Sequence, residues 1–93
     1  MEDGMTNPKT RMDHFEGLKT HPWYSRILGR LKDEDIGIIK KFIRENDHLD
    51  YSTFEYRLNR LFLNSQIKPK RFLEIMELLM IINSNKRLGE AKQ

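Results

Sequence analysis

Cysteine and valine are absent from the 93 residues, and alanine occurs once. Without cysteine there is no disulfide framework, no thiolate nucleophile and no zinc knuckle. Strict alternation of apolar and polar residues is also missing, so no strand is predicted. The longest uninterrupted apolar run, Leu78 to Ile82, is five residues, whereas a membrane-spanning helix needs roughly 20. No membrane partner is expected. The N-terminus MEDGMTNPKTRMDHFEG is polar and mixed in charge, unlike a signal or transit peptide. These absences point to a soluble intracellular protein, cytoplasmic or nucleoid-associated. Internal repeats and low-complexity tracts are lacking too. Only three prolines and five glycines punctuate the chain, which leaves room for long helices.

A chain of this length holds one domain with tails. A flexible tail is expected over 1–11, a single helical domain over 12–88 and a second tail over 89–93. Met12, Phe15 and Leu18 recur every three residues and predict a short amphipathic helix at the N-terminus. Pro22 suits the first position of a helix, where its missing N–H costs nothing. From there Trp23, Ile27, Leu28 and Leu31 share one face. Lys32-Asp33-Glu34-Asp35 marks a new start, because acids favour the positive end of a helix. Ile36, Ile39, Phe42 and Ile43 follow at helical spacing, opposite Lys40, Lys41 and Arg44. Ser52 and Glu55 have the spacing of a capping box. The next buried stripe is Phe54, Leu58, Leu61 and Phe62. Pro69 opens the last helix, and Leu88-Gly89 is a stop signal. The fold expected is all-α: a small four-helix bundle, with room for a short extra N-terminal helix and no sheet.

The last helix, in IKPKRFLEIMELLMIIN, is nearly continuous in apolar residues. They cover roughly 220° of its wheel at 100° per residue. Only Glu74, Glu77 and Ile81 are expected to face outward, and beyond Ile82 the helix is expected to leave the core. Such a helix is central to a bundle, or it has a second partner.

No enzyme chemistry is indicated. His14, His21 and His48 never stand at the spacing that brings two imidazoles to one metal, so no metal is expected. HLDYSTFEY resembles the exit half of a calcium loop, but Thr53 occupies the position of its final glutamate. Phe42, Arg44 and Asn46 stand where carboxylates are needed, so the oxygens that a hard dication requires are missing. None of Ser25, Ser52, Ser65 and Ser84 lies in a nucleophile elbow. Gly29 and Gly37 are isolated, without a phosphate loop. The chain is read as non-catalytic and without a cofactor.

The net charge of +3 is too small to imply nucleic-acid binding by itself. Its placement says more, because the surplus lies in residues 50–72. Lys68, Lys70 and Arg71 surround Pro69 at a helix N-terminus, where cations oppose the helix dipole. An anion would relieve them: a phosphate, or an acidic side chain of a partner. Arg57 and Arg60 extend the patch, and Tyr56 can stack on a base. Tyr56, Leu63, Met76, Met80 and Ile81 form a candidate partner face, since the apolar surface exceeds what four helices need. These features suggest an accessory module of nucleic-acid machinery, for example a small subunit on a polymerase or another replication or transcription factor. It would dock on a larger protein by apolar helix surface and touch the nucleic-acid backbone through the basic turn. Two alternatives stand beside it. One is an independent DNA-binding protein of helix-turn-helix outline, dimeric with a second copy. The other is a pure protein–protein adaptor with no nucleic acid.

Overall fold

The computed structural model describes residues 9–65 and 69–91, with the backbone alone at 69, 90 and 91. Among the described residues the protein is all-helical, with five helices and no strand. They are α1 (Arg11–Leu18), α2 (Tyr24–Arg30), α3 (Asp33–Asn46), α4 (Tyr51–Asn64) and α5 (Pro69–Ala91). None is long and apolar enough to cross a membrane.

Local chemistry explains most of the boundaries. The Thr10 hydroxyl accepts from the Asp13 amide, and the Asp13 carboxylate accepts from the Thr10 amide, a reciprocal cap for α1. Phe15 and Leu18 of this helix are buried, as their spacing predicts. The helix after Pro22 starts later than expected, at Tyr24. His21 Nδ1 accepts from the Trp23 amide at 3.1 Å, just ahead of the helix, and Trp23 is exposed instead of joining Ile27 in the core. Helix α3 starts where Asp33–Asp35 place it. At α4 the cap is Asp50, whose carboxylate accepts from the Thr53 amide at 2.8 Å. Ser52 lies inside the helix and is exposed, so its expected capping role is corrected. Helix α5 runs past Gly89 to Ala91.

Ile39, Ile43, Phe54, Leu58, Ile75, Leu78, Leu79 and Ile82 form the core with Phe15, Leu18 and Ile27. Helix α5 packs on α4, α1 and α3, and α1 also packs on α3. Helix α5 is covered on one side only: Ile75, Leu78, Leu79 and Ile82 are buried, whereas Leu73, Glu77, Met80 and Leu88 are exposed. Its apolar residues divide between an inner and an outer face.

Candidate functional site

The basic turn does not lack an anion. Arg71 reaches from the first turn of α5 to the first turn of α3, where its Nη2 donates to Glu34 Oε1 at 3.0 Å and to the Asp35 carboxylate. Asp35 is buried, 1% exposed, and its other oxygen accepts from the Lys32 amide at 3.0 Å. The charge that opposes one helix dipole is thus matched by carboxylates that suit another. Arg71 Nε is buried and donates to no atom among the described residues. Lys70 is exposed and makes no ion pair among the described residues. Lys68 lies outside the described residues. Of the expected triad, one member is a structural latch and one projects into solvent.

The Arg71 hydrogen bond, aided by the Lys32 amide, holds the Asp35 carboxyl below its ordinary value of 3.8, against the opposing effect of burial. A carboxyl depressed on folding stabilises fully above its unfolded value and less as pH falls through its folded one. Asp35→Asn is therefore expected to flatten the loss of thermal stability between pH 5 and about pH 2, read by melting curves at each pH. Some slope remains, because hydrogen bonds from Thr53 also hold Asp50 low. A variant with the wild-type slope would show that the latch does not couple to folding.

Arg57 and Arg60 share no lining with Lys70 or Arg71. With Tyr56 they line a separate trough between α3 and α4, floored by Phe42 and Leu61. The Arg60 guanidinium donates to the Tyr56 hydroxyl at 3.2 Å, a contact spanning one helical turn.

The expected partner face is brought together in part. Met76, Met80 and Ile81 line a groove of about 690 Å³ on the outer side of α5, but Tyr56 and Leu63 lie outside it. Their places are taken by Leu73 of α5, Phe62 of α4 and Tyr24 of α2. Leu73 is 59% exposed and Met80 48%, whereas Ile81 and Glu74, both expected to face outward, are half-buried. Phe62 was expected in the core. It is partly exposed and meets buried Phe72 edge-on, with ring centroids 5.2 Å apart. Glu77 is exposed on the groove lining.

Arg11, placed by the sequence pattern at the end of a tail, is 1% exposed. Its Nε donates to Asn83 Oδ1 at 3.0 Å, Nη1 to the Asp47 carbonyl at 3.0 Å and Nη2 to the Leu49 carbonyl at 2.8 Å. Its guanidinium carbon lies 4.1 Å from the Phe54 ring centroid. Asn83, expected to leave the core, is buried and donates to the Tyr51 carbonyl. This buried polar centre ties α1 to the α3–α4 loop and to α5. Arg11 and Asn83 are buried in it, whereas Asp47 and Leu49 are half-buried. Among the described residues no group of three or more His, Asp or Glu side chains is placed to hold a metal ion. Compared with family models, curated proteins and solved structures, the chain shows no match.

Proposed function

We propose that the protein is a non-catalytic interaction module that docks on a larger protein through the outer face of α5. In this reading the five helices form a bundle organised on α5, with α1 as its short extra member. The observation that carries the reading is the exposure of Leu73 and Met80 on the same helix that supplies Ile75, Leu78, Leu79 and Ile82 to the core. The groove follows α5 from Leu73 to Asn85, about 18 Å at 1.5 Å per residue. That is the length of about three helical turns, so the occupant is an amphipathic helix of the partner. Exposed Glu77 favours a basic residue opposite it. Met76 and Met80 line the groove and adapt readily to a partner's shape.

Service to nucleic-acid machinery, as an accessory subunit in replication or transcription, rests on Lys70, exposed at the start of α5. The helix-turn-helix alternative is less favoured. Arg71 is held by Asp35 and Glu34, and exposed Leu73 and Glu77 follow on the face that would read bases.

Affinity capture from nuclease-treated native extract tests both halves. The wild-type chain is expected to retain a protein that the Leu73→Lys/Met80→Lys variant loses. Duplex DNA at low salt is expected to bind with a salt slope that falls by about one when Lys70 becomes Gln. The absence of DNA binding even at low salt would leave docking intact and remove the nucleic-acid half.

A further inference from the structure

We propose that the trough between α3 and α4 is a second docking site, whose occupant is an acidic amphipathic helix of a partner protein. Two hollows, of about 530 and 290 Å³, share Phe42, Glu45 and Leu61, and so form one continuous trough. Half-buried Ile38, Phe42 and Leu61 form the floor. Lys41 stands on the α3 rim, and Arg57 and Arg60 on the α4 rim. Lys41 and Arg57 make no ion pair among the described residues. The Arg60–Tyr56 hydrogen bond holds one cation along the wall. An apolar floor between cationic rims complements a helix with an apolar stripe flanked by carboxylates.

Glu45 separates this occupant from a nucleic acid. It is the one acid on the lining and belongs to both hollows, so it lies where they join. A phosphate chain following the trough carries its charge past that carboxylate, and its backbone gains nothing from the apolar floor. A helix sets its acids on the flanks and turns an uncharged residue towards Glu45. The trough shares no lining residue with the α5 groove. Helix α4 presents Asn59 and Phe62 to one, and Tyr56, Arg57 and Arg60 to the other. Both can be occupied at once, so the protein bridges two partners of different chemistry. This second site stands whether or not the α5 face docks.

Differential selection from a displayed library of helical peptides tests the proposal, keeping clones that bind the wild type but not the Arg57→Gln/Arg60→Gln variant. The altered side chains are exposed, so the variant is expected to fold, which its melting curve checks. The clones are expected to carry apolar residues at i, i+3, i+4 and i+7, flanked by Glu or Asp. Their affinity for the double variant is expected to fall roughly tenfold or more. Leu73→Lys/Met80→Lys is expected to leave it unchanged. Three results would overturn the proposal: no differential clone, clones without acidic flanks, or clones lost with the α5 variant instead. So would oligothymidylate that binds more tightly than every selected peptide and is released by the same two arginine substitutions.

Discussion

Arg11→Met is expected to lower the stability of the protein by roughly 3–5 kcal/mol, the scale on which breaking a buried charged network is measured. The substitution keeps most of the volume and removes the donors. Carbonyls of Asp47 and Leu49 and the Asn83 side-chain oxygen then lose the guanidinium that satisfied them. Replacing both partners of a buried pair by apolar groups can be neutral. That escape is closed here, because two of the acceptors are backbone. Arg11→Lys is expected to recover little, since one ammonium cannot match the planar fork that reaches three acceptors. A protein of this size has a total stability on the order of 5–15 kcal/mol. The melting temperature should therefore fall by roughly 12 °C or more. Arg44→Met, at an exposed position of α3, should stay within about 0.5 kcal/mol. Equal melting curves for the Arg11 and Arg44 variants would remove the buried centre from the account of stability.

Leu79→Ala and Leu73→Ala make the same chemical change six residues apart in α5, and they are expected to differ several-fold. Leu79 is fully buried. Truncating such a residue costs roughly 2.7–5 kcal/mol, from lost transfer free energy and the remaining cavity. Leu73 loses little burial because little exists in the free chain, and alanine is the stronger helix former. Its truncation should cost no more than about 0.5 kcal/mol. Denaturant titration of both variants measures the difference. Similar costs would mean that Leu73 is packed in the free protein, and the outer groove would lose its defining residue.

The helical class and the position of each helix were legible because apolar residues recur with helical period. Met12, Phe15 and Leu18 foretold α1, and Ile39 with Ile43 foretold the inner face of α3. Caps were less legible where signals overlap. Asp50 with Thr53 and Ser52 with Glu55 are both good starts for α4. Arg11 holds the Leu49 carbonyl, which fixes the chain just before Asp50 and favours the earlier start. The two long-range polar centres were illegible for a related reason. Arg11 meets Asn83 72 residues away, and Arg71 meets Asp35 36 residues away. Local rules showed both ends of the second pair without showing that they meet: acids suited to the start of α3, and cations ill suited to the start of α5. The division of α5 into two faces depends on which of its sides α1, α3 and α4 cover, a property of assembly that no helical wheel contains. Tyr56 and Leu63 are both exposed, as a partner face requires, but neither lines the α5 groove, and Tyr56 lines the trough beside α3.

The central claim is that the outer face of α5 is a protein-docking surface. Photo-crosslinking in the native cell tests it most directly, with the reactive residue at position 80 and a control at exposed position 20. The account predicts a discrete protein adduct from position 80, none from position 20, and loss of the adduct when Leu73 is changed to Lys. A diffuse or absent adduct from position 80, or the same adduct from both positions, would contradict it.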